Sequence, residues 1–207
     1  MSILASLLRF ITFGVLLVVL SPIFLVLTIW IRLDSPGAAI FSQGRIGRDQ
    51  RIFRIFKFRT MVARRADQID QIAEGVLVGD DQRITRAGRF LRRTSLDELP
   101  QLWNMLLGEM NVVGPRPLIP EQLPAIPPEY LSRFDVPPGL TGLAQVRGRR
   151  SLDWLVQLAA DREYVEQRSL WLDLKIIAHT VVVVFSGSGV YDPNAKNWRD
   201  YLPKREP

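Results

Sequence analysis

The sequence predicts an α/β membrane protein, mostly helical, with an apolar helix at its N-terminus and a small β-hairpin behind it. Three observations predict it. Residues 10–31 run for 22 positions without a charge, framed by Arg9 and Arg32. Residues 52–61 alternate Phe53, Ile55, Phe56 and Phe58 with Arg54, Lys57 and Arg59, which is the period of a strand. Leu99, Leu102, Trp103, Leu106 and Leu107 recur at i, i+3, i+4, i+7 and i+8, which is the period of a helix.

A helix over the first segment, rising about 1.5 Å per residue, matches a hydrocarbon core of about 30 Å. It lacks the small-residue cleavage site of a secretory signal and is read as retained. Ser21-Pro22 stands at its middle. Proline removes one backbone hydrogen bond and crowds the preceding turn, and the freed carbonyl needs a donor, for which the Ser21 hydroxyl is near. Two readings follow: a straight anchor with a kink, which hydropathy alone favours, and a helix broken at Ser21-Pro22 that enters and leaves on one face. Arg9 is the only basic residue before the segment, so the positive-inside rule places the rest of the chain in the cytoplasm.

The remaining elements follow in order. Residues 38–41 form a strand, 44–49 a turn and 52–61 the return strand of a hairpin. Residues 64–82 form a polar helix and loop at the surface, and residues 84–93 a short basic helix. Asp97 caps the next helix, with Pro100 in its first turn and Gly108 as its stop; in an alternative start Ser95 is the cap and Glu98 completes a capping box. Six prolines between 115 and 128 make an ordered connector, and residues 137–142 a turn cluster. A helix starts at Ser151 and runs to about Arg168. Residues 170–185 are apolar but interrupted by Asp173 and Lys175, which suits a helix in the membrane interface or the core, although Val181–Val184 leave a strand open. Residues from 187 onward read as a polar tail.

Composition narrows the chemistry. The 207 residues contain no cysteine, which excludes disulfides, thiolate metal sites and cysteine nucleophiles. The single histidine, His179, lies in an apolar run, so a Ser-His-Asp triad is not expected. A net charge of +6 favours anionic partners. Charge alone allows nucleic acid, but no recognised binding module accompanies it and the apolar segment argues against it, so none is expected.

The adjacent carboxylates Asp97 and Glu98 carry the chemical signal. Arg83, Arg86, Arg89, Arg92 and Arg93 precede them and Arg116 follows. Cations around an acid pair suit chemistry on a phosphate, in which the cations hold the anionic oxygens and an acid attacks or binds a metal. The plain alternative is a helix cap with a first-turn acid. Most of the arginines between 45 and 93, where the net charge is +7, are assigned to anionic lipid. Lys57 and Arg59 point to one face of their strand, and Arg116 stands in the stiff loop Gly114-Pro115-Arg116-Pro117.

Four stretches occur in order: residues 57–61 (KFRTM), 95–102 (SLDELPQL), 114–117 (GPRP) and 138–145 (PGLTGLAQ). Together they resemble the bacterial sugar transferases, the monotopic phosphoglycosyl transferases, over residues 1 to about 190. The resemblance implies three regions: a re-entrant membrane helix over 1–33 broken at Ser21-Pro22, a cytoplasmic-face catalytic domain over 34–190, and a tail over 191–207. It implies transfer of a sugar phosphate from a UDP-sugar to undecaprenyl (polyprenol) phosphate with release of UMP, at the cytoplasmic face of the inner membrane. Asp97 would be the nucleophile and a ligand of Mg²⁺, with Glu98 the neighbouring essential acid. Lys57, Arg59 and Arg116 would contact phosphates, and Gln145, Arg149 and Asp161 would lie near the site. Departures at Leu8, Thr12, Glu109, Asn111 and Arg147 from residues frequent in the family bear on sugar choice and on entry to the membrane. The rival reading is a non-catalytic basic membrane adaptor. Neither the sugar, the pathway nor the oligomeric state is written in any motif.

Overall fold

A computed structural model describes residues 3–62, 81–148, 151–186 and 196–203. The elements are α1 (Ile3–Asp34), β1 (Ile40–Ile46), β2 (Ile52–Phe58), α2 (Arg86–Thr94), α3 (Gln101–Leu107), β3 (Asn111–Val113), β4 (Gly139–Thr141), α4 (Leu143–Arg147), α5 (Trp154–Gln167) and α6 (Leu170–Ser186), with short 3₁₀ turns between them. They form two compact units that cut across the expected regions. The first comprises Met1–Gln43 and Arg54–Gly108, the second Gly44–Phe53 and Glu109–Pro207. The apolar helix is therefore part of the first unit rather than a separate appendage.

In the first unit, α1 is one helix of 32 residues, long and apolar enough to cross a membrane. It passes through Ser21-Pro22 uninterrupted, so the expected break is not a gap in the helix. Pro22 cannot donate to the carbonyl four residues earlier, and that carbonyl, of Val18, accepts the Ser21 hydroxyl at 2.7 Å. The replacement bond is the one expected from the sequence, and it lets the helix carry its proline without a lost partner. Leu27 and Ile31 are buried with Phe58, Ala87 and Leu91, and Phe24, Leu96 and Leu99 close that core. At the opposite end the Arg9 guanidinium lies against Gly108, the residue that ends α3 with φ of +80°.

The hairpin is longer than expected on its first strand. Gly44, Arg45 and Ile46 continue β1, and the turn moves to residues 47–51, where Asp49 and Gln50 take positive φ. Gly44 needs no turn, because a Cβ there would meet only Ile52 at an ordinary 3.6 Å. α2 begins with two acceptors on its exposed N–H groups: Thr85 Oγ1 takes Gly88 N–H at 3.0 Å and Asp34 Oδ2 takes Ala87 N–H at 2.9 Å.

α3 departs from its pattern. Its buried residues are Gln101, Asn104 and Met105, while Trp103 and Leu107 of the apolar stripe are about half exposed. Asn104 explains the rotation. Its Oδ1 accepts Phe56 N–H at 3.1 Å and its Nδ2 donates to the Arg54 carbonyl at 2.7 Å, so one amide side chain pairs the edge of β2 as a strand would.

The second unit holds β3 and β4 as a parallel pair, with Asn111 opposite Gly139 and Val113 opposite Thr141. The expected turn cluster thus contains a strand. Helices α4, α5 and α6 pack beside it around Val113, Leu143, Ala144, Ala160, Tyr164 and Ile176. The Tyr164 hydroxyl donates to Asp173 Oδ1 at 2.9 Å and lies 3.2 Å from the Val113 carbonyl, and burial followed by that carboxylate pushes its pKa well above the ordinary value. α6 resolves the helix-or-strand alternative in favour of a helix, with Leu170, Trp171, Leu174, Val181 and Val182 exposed. A second core gathers Ile46, Leu118, Ile126, Phe134, Trp154 and Leu158. Trp198 belongs to it, which corrects the reading of the C-terminus as a polar tail: residues 196–203 are docked, with Trp154 N–H bonded to the Lys196 carbonyl at 2.9 Å. One tryptophan among charged neighbours carries too little periodicity to be seen in sequence. Of the segment expected as a polar helix and loop, residues 64–80 lie outside the described residues, as do 187–195 and 204–207.

Candidate active site

Asp97 and Glu98 do not open a helix. α2 stops at Ser95, which adopts the left-handed conformation (φ 58°, ψ 15°), and Leu96–Glu98 then form a single 3₁₀ turn before α3. Neither Ser95 nor Asp97 supplies the expected cap, since Pro100 occupies the cap position of α3 and its side chain has no acceptor. A left-handed serine is an uncommon conformation; here its N–H donates to the Arg92 carbonyl at 3.4 Å and its carbonyl accepts Glu98 N–H at 3.2 Å. Its result is a tight corner that presents two successive carboxylates, both partly exposed.

Each acid has a cation on the same unit. Lys57 Nζ donates to Glu98 Oε1 at 2.6 Å, and both side chains are only 18% exposed. Arg92, one turn before the corner, feels the charge of Asp97 and donates from Nε to Thr60 Oγ1 at 3.0 Å. Burial draws the Arg92 guanidinium below its ordinary pKa, and the nearby carboxylates of Asp97 and Asp81 act against that. The sequence marked Arg92 only as one of a basic run; its place one turn before the left-handed corner is what distinguishes it.

Arg59 has another use. It is 6% exposed and lies beyond the end of β2, with Nη1 on the Pro36 carbonyl at 2.8 Å and Nη2 on the Ser35 carbonyl at 2.6 Å and the Ile31 carbonyl at 3.2 Å. It closes the C-terminus of α1, where unpaired carbonyls and the helix dipole favour a cation. Arg59, expected to contact a phosphate, thus has both Nη atoms on main-chain carbonyls. Burial, and next the Arg32 charge, lower its pKa.

In the second unit the Gly114–Pro117 loop is held by its carbonyls. Two of its residues are prolines and have no N–H, so the backbone offers mainly acceptors. The Pro115 carbonyl accepts from Gly139 N–H at 2.9 Å, the Arg116 carbonyl from Arg133 Nη2 at 2.9 Å and the Pro117 carbonyl from Arg45 Nη1 at 3.4 Å. The next carbonyl, of Leu118, takes Ile46 N–H at 2.8 Å. Gly114, Gly139 and Gly142 touch backbone to backbone, which brings the two glycine- and proline-rich stretches of the sequence into direct contact. The Arg116 side chain stands exposed between the buried Pro115 and Pro117, and with Arg133 it borders a small cleft lined also by Gly47, Phe134 and Pro138.

Gln145 lies on α4 beside Gly142. Both atoms of its amide are covered and meet no hydrogen-bonding partner among the described residues. Asp161 is 3% exposed, and its Oδ2 accepts Arg133 Nη2 at 2.7 Å and Nε at 3.2 Å. Burial raises its carboxyl pKa while Arg133 opposes the rise. Asp161 therefore meets a partner inside the protein rather than an open surface. Arg149 lies outside the described residues.

No group of three or more His, Asp or Glu side chains that could enclose a metal exists among the described residues. Asp97 offers hard carboxylate oxygens, which suit Mg²⁺ when most of its shell comes from substrate phosphates and water. The donor set fits in that restricted sense.

The model of the family described as bacterial sugar transferase matches residues 2–187. The chain belongs to that family. Among its relatives, the UDP-glucose:undecaprenyl-phosphate glucose-1-phosphate transferase of Caulobacter vibrioides is 43% identical over 180 residues, which cover 83% of this chain and 66% of the relative. The UDP-galactose-lipid carrier transferase of Erwinia amylovora is 38% identical over 187 residues, 85% of this chain and 39% of the relative. The exopolysaccharide production protein PSS of Rhizobium leguminosarum bv. phaseoli is 42% identical over 180 residues, 80% of this chain and 87% of the relative. The family member described here thus spans about two fifths of the Erwinia protein.

Proposed function

We propose that the protein transfers a sugar 1-phosphate from a UDP-sugar to undecaprenyl phosphate, with release of UMP, as the first membrane step in building a glycoconjugate. The observation that carries the reading is the 3₁₀ corner at Leu96–Glu98, where Glu98 is tied to Lys57 and Asp97 lies in the field of Arg92. Relatives named for glucose-1-phosphate transfer to undecaprenyl phosphate support it.

The chemistry follows as a two-step exchange. A carboxylate oxygen of Asp97 forms a bond to the β-phosphorus of the donor, and the bond from that phosphorus to the bridging oxygen breaks, so that UMP leaves with the oxygen. A phosphate oxygen of the lipid then bonds to the same phosphorus and the bond to Asp97 breaks, which restores the carboxylate. Lys57 holds Glu98 beside the nucleophile, and Arg92 keeps positive charge next to it. The family resemblance assigns Arg116 to a donor phosphate. Mg²⁺, bound through Asp97 and the diphosphate, would reduce the charge that the incoming carboxylate meets.

The test is UMP release by the full chain in detergent with UDP-glucose or UDP-galactose, undecaprenyl phosphate and Mg²⁺. Lipid-dependent release is expected. Its absence with every UDP-sugar tried would leave the basic adaptor instead.

The same reading makes α1 re-entrant at the cytoplasmic membrane, with the carboxylates on the cytoplasmic side where UDP-sugars are made. Packing supports this. Arg9 near the start of α1 meets Gly108, and Asp34 at its end meets Ala87. The chain between those partners carries Arg89, Arg92, Arg93, Asp97 and Glu98, and such charges do not lie across hydrocarbon. The natural absence of cysteine allows a clean topology experiment. The variants Ser2→Cys and Ala38→Cys, the latter at an exposed position just after α1, should both react with an impermeant maleimide from the cytoplasmic side, and labelling from opposite sides would refute the re-entrant helix.

A further inference from the structure

We propose that Arg133 is a positioning residue for Arg116, acting through the Arg116 carbonyl. The inference rests on the reading that Arg116 meets a donor phosphate. Arg133 and Asp161 form an ion pair whose side chains are 2% and 5% exposed. One hydrogen of Arg133 Nη2 goes to Asp161 Oδ2 and the other to the Arg116 carbonyl, at 2.7 and 2.9 Å. The guanidinium also lies 5.2 Å from the centre of the Phe134 ring, which limits its rotation further.

The loop explains why this bond matters. Pro115 and Pro117 have nearly fixed φ, and Arg116, which precedes a proline, is confined to extended backbone. Rotation of the peptide plane that joins Arg116 to Pro117 is thus restricted on both sides, and the loop is seated as a stiff piece. That plane carries the carbonyl held by Arg133. Releasing it lets that stiff piece, and Arg116 with it, shift between the Pro115 and Leu118 carbonyls, which main-chain N–H groups hold. A buried ion pair adds little stability compared with apolar residues of the same volume, so its role here is direction.

The test is a double-mutant cycle on the full chain in detergent, read by UMP release with UDP-glucose, or UDP-galactose if that is the faster donor. Arg133→Lys keeps the buried charge opposite Asp161 but loses the fork that serves two acceptors. Expected is a rise of about tenfold in KM for the donor with kcat changed less than about threefold, and less than about a twofold effect when the same change is made in Arg116→Ala. Melting temperature is followed alongside. Equal losses in both backgrounds, or a fall in kcat at unchanged KM, would overturn the proposal. Should Arg133→Lys fail to fold, the double substitution Arg133→Gln with Asp161→Asn, which removes both charges and keeps a hydrogen-bonded pair, enters the same cycle under the same criteria. An unaltered enzyme that turns over donor while the cycle is additive sinks this inference alone. An unaltered enzyme that releases no UMP sinks the functional reading and this inference together.

Discussion

Asp97→Asn abolishes turnover, with a fall in kcat of at least about 1,000-fold, and leaves the fold intact. The amide has the volume of the carboxylate but no anionic oxygen with which to displace UMP. Asp97 sits partly exposed on a 3₁₀ turn outside the three hydrophobic cores, and asparagine keeps its shape, so the melting temperature should hold. The measurement is paired: UMP release, and intact mass of enzyme quenched after mixing with donor and Mg²⁺. The unaltered chain should gain the mass of one phosphosugar and the variant none. A variant with ordinary turnover would remove Asp97 from the mechanism, and with it the covalent route.

Gly139→Ala produces a large structural loss. A Cβ at 139 would overlap the backbone nitrogen of Gly114 and the carbonyl of Thr141, neither of which can rotate away as a side chain would. Both belong to the pairing that seats the Gly114–Pro117 loop, through Gly114 N–H on the Thr141 carbonyl and Gly139 N–H on the Pro115 carbonyl, each 2.9 Å. Overpacking against backbone on this scale costs about 3 kcal/mol or more, a large share of the 5–15 kcal/mol that typically separates folded from unfolded states. Thermal unfolding in detergent should show a fall of many degrees, with activity lost in parallel. Gly14→Ala is the control. A Cβ at 14 meets nothing within 4 Å, so that variant should match the parent or gain slightly in helix stability. Equal behaviour of the two variants would show that the glycine contact does not hold the loop.

Several elements were legible because a local rule is enough to specify them. The apolar helix, the hairpin, α2 and the stop at Gly108 rest on hydropathy, alternation and a left-handed glycine. The Ser21 bond to the Val18 carbonyl followed from the chemistry of proline alone. Other features needed partners distant in sequence. The apolar stripe of α3 misjudged its buried face because Asn104 had an unpaired strand edge to satisfy. Arg59 was marked for a phosphate by resemblance, and its bonds to the carbonyls at the end of α1 follow from no local pattern. Asp161 and Arg133 carry no joint signal, being 28 residues apart on different elements.

The chain by itself determined the chemistry on offer. Without cysteine and with its one histidine in an apolar run, it left catalysis to Asp, Glu, Lys, Arg, Tyr or a metal, and its uncharged N-terminal helix is long and apolar enough to cross a membrane. Tertiary structure alone decided which cation serves which purpose: Lys57 for Glu98, Arg92 for Asp97, Arg59 for a helix end and Arg133 for a loop. The physical reason is that an arginine's role depends on the acceptor within about 3 Å of it, and folding brings that acceptor from elsewhere in the chain.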